Sequence, residues 1–414
     1  MCGSCPLLRP TSWILITACL LGEFGETAIA QRPDPYEAAR NQMVDDDLAR
    51  EGISNTRVLQ SIRAVPRHLF VRPDLRRMAY FDQALDIGYK QTISPPYIVA
   101  YMTEVLDPQP TDTVLEIGTG SGYQAAVLSS LVQDVYTIEI VEPLGKNAAS
   151  LLQRLNYKNV HPKIGDGYQG WPDFAPFDKV IVTCSPEQVP QPLIDQLKPG
   201  GKLIIPLGER YQQVFHLFEK QGEQLVETKL VPTLFVPMTG KSEELRQQQP
   251  DPRHPQIVNG GFEQSTLEAG KADGWHYQRR SEIVTGGSVE GQRFIRFDND
   301  APGRSAHMLQ GLAVDGRTIG TVSVSLKMQL QDLGPGSDQR QQPGFVLHFF
   351  DARRAPVGVE HLPPWTSDTL AWTPVSGVLP VPRGTQEMIV QIGLNGCTGV
   401  LSLDDVQLTP QPRQ

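Results

Sequence analysis

Between residues 113 and 207, short apolar runs alternate with stretches of helical spacing, and that order leaves few folds open. Residues 114–117, 135–140, 160–164, 179–183 and 202–207 read as strands, and 123–132, 144–155 and 190–197 as helices. The alternation predicts a mostly parallel sheet covered by helices on both faces, a doubly wound, Rossmann-like α/β fold. Upstream, residues 36–62 read as helical with an interruption near Gly52.

Open parallel sheets bind ligands beyond the carboxyl ends of their strands, so the residues there carry the functional information. The first run ends in VLEIGTGSGYQ (114–124), where Gly118, Gly120 and Gly122 lead directly into a helix. Glycines suit a sharp turn that a ligand approaches closely, because no Cβ stands in the way. The spacing G-x-G-x-G, with Tyr123 where a third glycine would fall, departs from the dinucleotide fingerprint. No Gly-Lys-Ser/Thr follows, so a phosphate loop fits worse. Glu139 ends the second run, where a carboxylate can accept hydrogen bonds from both ribose hydroxyls. Asp166, within Gly165-Asp166-Gly167, follows the third, within reach of an adenine amine. Each acid alone is more often a cap or turn residue, but the three features in strand order point to an adenosyl cofactor.

Residues 36–240 resemble the protein-L-isoaspartate O-methyltransferases. The resemblance rests on VPRHLFV (65–71), AYFDQALDIG (79–88), QTISPPYIVAYMTE (91–104), VLEIGTGSGYQAAVL (114–128), GDG (165–167), PFDKVIV (176–182), LIDQLKPGGKLIIPLG (193–208) and FVPMTG (235–240). QTIS and FVPMTG are specific to that family, whereas the glycine loop is shared by methyltransferases at large. The resemblance implies S-adenosyl-L-methionine as methyl donor and isoaspartyl residues of damaged proteins as acceptors. It implies cofactor contacts at Thr92, Ile93, Glu116, Gly118, Gly120, Gly122, Glu139, Asp166 and Gly167, with Ser94 as the active-site residue. Pro95 and Cys184-Ser185 depart from the family pattern at the substrate channel.

The implied chemistry agrees with the absence of a catalytic histidine or carboxylate pair from these motifs. An α-carboxylate with a pKa of roughly 3.5 is ionised at neutral pH and needs no general base. The sulfonium donor is already activated, and positioning alone can lower such a barrier by roughly 7–11 kcal/mol. Ser94 would then orient the carboxylate. Its alternative role is to N-cap a helix beginning at Pro95-Pro96. His68 reads as a structural contact rather than a base.

After Gly240 the texture changes. Residues 241–256 are polar and rich in Gln and Pro, and read as a linker. Beyond them, runs at 321–330, 345–350, 388–394 and 400–408 show strand periodicity, which predicts an all-β sandwich over 257–414. Asn259-Gly260-Gly261-Phe262-Glu263, Trp275 and Leu403-Asp404-Asp405-Val406 resemble a carbohydrate-binding or galactose-binding-like jelly roll. That resemblance makes a glycan a candidate ligand, with Trp365 and Trp372 as stacking surfaces. Glu263 with Asp404 or Asp405 suggests a structural calcium, although turn acids are the commoner reading. No Cys/His spacing indicates a metal, and no metal is expected in catalysis.

Residues 1–30 have the outline of a secretory leader, with an apolar run from 13 to 21 and Ala28-Ile29-Ala30 before Gln31. The run is too short for an integral membrane span. A net charge of −9 argues against nucleic acid as partner. The cofactor is made inside cells, which favours a cytoplasmic location over an exported or periplasmic one. Two other readings stay open: methylation of another carboxylate or small molecule, and an exported binding protein with a relic catalytic domain.

Overall fold

Strand runs that are apolar on both faces can only be buried on both faces, and the chain satisfies this by doubly covering its first large sheet. The computed structural model describes residues 1–3, 34–222, 224–267, 270–338, 341–363, 365 and 367–413; nearly all of the expected leader lies outside these. Helix α1 (Glu37–Met43) runs into a π-helical segment (Val44–Ala49). After the Gly52 break comes α2 (Thr56–Ala64), whose first backbone amides are capped by the Asn55 side chain. A hairpin, β1 (Leu85–Gly88) and β2 (Gln91–Ile93), precedes α3 (Pro96–Leu106).

The α/β core follows as β3 (Thr113–Ile117), α4 (Tyr123–Ser129), β4 (Asp134–Glu139), α5 (Glu142–Arg154), β5 (Val160–Ile164), β6 (Phe177–Val182), α6 (Gln191–Asp195), β7 (Leu197–Glu209), β8 (Gln212–Gln221) and β9 (Gln224–Thr233). The sheet order is β5-β4-β3-β6-β7-β8-β9. Pairings from β5 through β7 are parallel, whereas β7-β8-β9 are antiparallel. The sheet is therefore mixed rather than mostly parallel throughout. β8 alternates, and β9 exposes Val226, Glu227, Thr228 and Lys229 in a row at a sheet edge, so no long apolar run betrays them. Alternation along β3, β4 and β6 sends Val114, Val135 and Ile181 toward α3 and α4, and Leu115, Ile138 and Val180 toward Leu193 on α6.

The stretch expected to be a linker begins with α7 (Lys241–Glu244) and is fixed to the α/β core. Arg246 is buried and donates to the carbonyls of Ser185 (2.9 Å) and Gly208 (3.2 Å). Composition concealed this, because an arginine gains its partners only when strand ends and loops converge.

The C-terminal region consists of β10 (Ser281–Thr285), β11 (Arg293–Asn299), β12 (His307–Ala313), β13 (Ile319–Gly334), β14 (Gly344–Phe350), β15 (Pro356–His361), β16 (Leu370–Pro380), β17 (Glu387–Gly393) and β18 (Thr398–Pro412). They form two antiparallel sheets, β10-β11-β18-β13-β16 and β12-β17-β14-β15, closing over one apolar core. Trp275 is fully buried there, and its indole N–H donates to the Asn259 carbonyl. The two regions are joined directly. His276 pairs with Leu309 of β12 and meets the Tyr211 carbonyl through Nε2 at 2.9 Å. Arg280 and Arg304 both reach Glu51, beside the Gly52 break.

Candidate functional site

The glycine loop leaves β3 with Gly118 at φ +99°, a conformation that side-chain-bearing residues rarely adopt. A Cβ at Gly118 would lie 2.5 Å from the Thr183 hydroxyl. That hydroxyl donates to the Gly118 carbonyl at 2.7 Å and holds the loop from the end of β6. From the other side, Glu139 fixes the loop at the end of β4. Its Oε2 accepts the Gly120 N–H at 2.7 Å and its Oε1 the Val141 N–H at 2.9 Å. A carboxylate offers about four lone-pair sites, so two remain for ligand hydroxyls.

Above the loop lies a cleft at the carboxyl end of the sheet. Its walls bring together Thr92, Ile93 and Ser94 from β2 and its exit, Gly118 and Gly120 from the loop, Glu139, and Gly167. Met102 of α3, Thr183, Cys184 and residues 236–239 complete them. Burial, with the charges of Glu139 and Asp166, pushes the Cys184 thiol up, so it stays protonated and is no nucleophile.

Three of the expected cofactor contacts stand behind this wall rather than on it. Gly122 begins α4 and packs on Leu152. Asp166 caps a turn through the Tyr168 N–H (2.9 Å) and receives the Lys241 N–H (2.8 Å). It thereby fastens the end of FVPMTG over the cleft. Glu116 is fully buried under the loop, and neither of its oxygens has a hydrogen-bond partner.

Burial pushes the Glu116 carboxyl up to about 8. Its folded pKa is thus raised above the unfolded value, so the folded state holds a proton that the unfolded state releases. Its stabilising contribution is complete at pH below about 4.5 and is lost as pH rises toward about 8. Glu116→Gln, the isostere of the protonated acid, is expected to flatten the loss of stability between these limits. Urea unfolding at pH 5.5 and pH 8 checks this, and an unchanged pH slope would refute it.

Ser94 does not cap α3. The N-cap position is Pro95, because the helix starts one residue later than the Ser-Pro pattern suggests. The first free amide of the helix, that of Tyr97, instead donates to Asp82 Oδ1 at 2.9 Å. Asp82 Oδ2 in turn pairs with Arg279 Nε at 3.2 Å, both side chains being under a tenth exposed. The Arg279 guanidinium lies 3.6 Å from the Tyr97 ring centroid. The sequence gives Asp82 no role, and the short basic pair Arg279-Arg280 reads as a solvated face, which the burial of Arg279 corrects. Asp82 sits in a quoted family segment, while Arg279 lies 197 positions away with no local signal. His68 is buried against Tyr36 and Tyr80 and faces away from the cleft wall, as a structural contact would.

In the β region, Glu263 accepts the Gln292 and Arg293 amides, and Asp404 those of Val289 and Glu290, so both act as turn acids. Trp372 donates to the Gly287 carbonyl and packs edge-on against Phe294, while Trp365 leans on the sandwich core.

The sequence model of one family, protein-L-isoaspartate(D-aspartate) O-methyltransferase (PCMT), matches residues 38–243. The chain is 48% identical over 209 residues to a protein-L-isoaspartate O-methyltransferase of Picosynechococcus sp., covering 50% of this chain and 94% of that protein. It is 50% identical over 198 residues to one of Gloeobacter violaceus, covering 48% and 97% respectively. A solved protein-L-isoaspartate O-methyltransferase aligns with 66% of this chain and 96% of its own at 26% identity and a TM-score of 0.46.

Proposed function

Because the chain belongs to the protein-L-isoaspartate(D-aspartate) O-methyltransferase family, we propose that this cleft transfers a methyl group from S-adenosyl-L-methionine to the α-carboxylate of L-isoaspartyl residues in damaged proteins. The observation that carries the reading is Glu139. It is buried, its position is fixed by two backbone amides, and it keeps acceptor sites turned to the cleft at the carboxyl end of the sheet. The glycine loop, which leaves room for close approach, fits the cofactor as well.

The sulfonium supplies an activated methyl group. The protein's own residues then have to position and desolvate. Ser94 supports this by standing in the wall beside Thr92 and Ile93, where its hydroxyl can donate to the acceptor carboxylate. Ile93 and Met102 exclude water around it. No proton has to be moved, in keeping with a protonated Cys184 and with His68 outside the cleft lining. Ser94→Ala is expected to slow transfer about tenfold, the loss of one hydrogen bond to a charged group, with cofactor affinity unchanged. Isothermal titration with S-adenosylmethionine beside single-turnover rates would show it, and a matching loss of affinity would contradict it.

Labelled S-adenosylmethionine offered with matched isoaspartyl and aspartyl peptides tests the function itself. Equal labelling of both, or of neither, rejects it. Among the described residues no helix is long and apolar enough to cross a membrane. Cofactor supply supports a cytoplasmic location. A mature N-terminus at Gln31, found by mass spectrometry of the fractionated protein, would overturn that. A glycan ligand for the β region has weaker support, since both candidate tryptophans are engaged elsewhere.

A further inference from the structure

Between the α/β core and the outer face of the β12-β17-β14-β15 sheet runs a groove of about 1210 Å³, above the roughly 300–1,000 Å³ of small-molecule sites. One wall is the segment Phe81–Ala84 with Asp47; the other is formed by alternate residues of the sheet, among them Val346, His348, Val359 and Gln391. Phe81 is 61% exposed and Val359 55% exposed, so two apolar side chains on different walls are left open. Val359 lies on β15, the edge strand of its sheet.

We infer that this groove binds the extended polypeptide flanking the methyl-accepting residue of the protein substrate. The inference rests on the methyltransferase reading given above and extends it to the β region. Four observations support it. First, the groove is continuous along the chain with the cleft. Phe81–Ala84 passes directly into β1 and β2, whose last residues and Ser94 line the methyl-transfer site. Second, its lining mixes apolar side chains with carboxamides and imidazoles, including Gln341, Gln391, Asn395 and His361. Gln391 joins His348 to Asn395 and Gln341 accepts the Ser337 amide, so an extended chain, with one amide donor and one carbonyl acceptor per residue, pairs with this lining by exchanging these contacts. Third, Phe81 and Val359 stand exposed on opposite walls, so apolar side chains of an extended chain find a contact on either side. Fourth, a glycan is disfavoured because neither Trp365 nor Trp372 lines the groove.

Burial pushes His307 to about 4 and lowers His348, so both imidazoles stay neutral at physiological pH. Asp47 is pushed up to about 7 by burial and by the neighbouring Asp82 charge. Among the described residues, the groove's other acids are Asp338 and Asp82, the latter paired with Arg279, and no Lys or Arg lines it, so it offers no cation to select one acidic side chain.

The experiment compares Val359→Asp and Gln391→Ala with the full-length protein, their folding checked by melting curves. Two substrates are used, a long unfolded isoaspartyl polypeptide and an isoaspartyl tripeptide, which spans only about 10 Å. Both variants are expected to raise KM for the polypeptide about tenfold, the equivalent of 1.4 kcal/mol, while kcat and the tripeptide's kinetics stay unchanged. Anisotropy of the fluorescently labelled polypeptide without cofactor should show the same loss of affinity. Equal effects on both substrates, or no effect on either, would overturn the groove as a polypeptide site. Competition by soluble oligosaccharides for the labelled polypeptide would replace it with a glycan site. If the wild type methylates neither substrate yet binds the polypeptide through Val359 and Gln391, the methyltransferase reading fails and the groove stands.

Discussion

Arg279→Met is expected to destabilise the protein by about 3–5 kcal/mol, the usual cost of removing one partner from a buried ion pair. Asp82 would be left charged and nearly inaccessible, its side chain only 3% exposed. The effect should reach the chemistry as well. Asp82 also holds the Tyr97 amide at the start of α3, and α3 carries Met102 into the cleft wall. Asp82→Asn keeps an acceptor oxygen for that amide while removing the charge, so Arg279 becomes the unpaired member. In the double variant neither charge is left alone, and part of the loss should return. A coupling of about 0.5–3 kcal/mol is expected, read from urea unfolding of the four proteins. Additive losses would show that the pair does not join the β region to α3. The transfer rate of the single Arg279 variant gives a second readout, expected to fall even where the protein remains folded.

Glu139→Gln is expected to weaken S-adenosylmethionine binding by about 30- to 1,000-fold, corresponding to about 2–4 kcal/mol. The substitution preserves shape but replaces one acceptor oxygen by an NH₂ group. Two backbone amides, those of Gly120 and Val141, now depend on separate oxygens of one carboxylate. An amide side chain can satisfy only one of them and sets a donor against the other. The loop that the carboxylate holds would lose its anchor together with an acceptor for the ligand's hydroxyls. Isothermal titration decides, and affinity within threefold of wild type would refute the role.

The site was legible to the extent that its parts are contiguous. Gly118, Gly120 and Glu139 stand at the ends of successive strands, and strand order alone places them on one edge of the sheet. Thr183 was missed because a threonine at a strand end has no distinguishing pattern. Its hydroxyl matters only through the close approach of Gly118. The Ser94 helix cap was read from a local preference, and the acceptor for the first free amide, that of Tyr97, is instead the carboxylate of Asp82, fifteen residues before Tyr97 in the chain. Asp166 also has a structural job that spacing could not show, since Lys241 reaches it across 75 residues.

The sequence by itself determined the α/β fold, the glycine loop and the family, because short-range periodicity and turn chemistry act within a few residues. Only the tertiary structure decided that β8 and β9 extend the sheet antiparallel, that Arg279 of the β region fixes the helix beside Ser94, and that a groove opens between the two regions. These arise where surfaces distant in the chain dock, and their energies come from burial and pairing that exist only after docking.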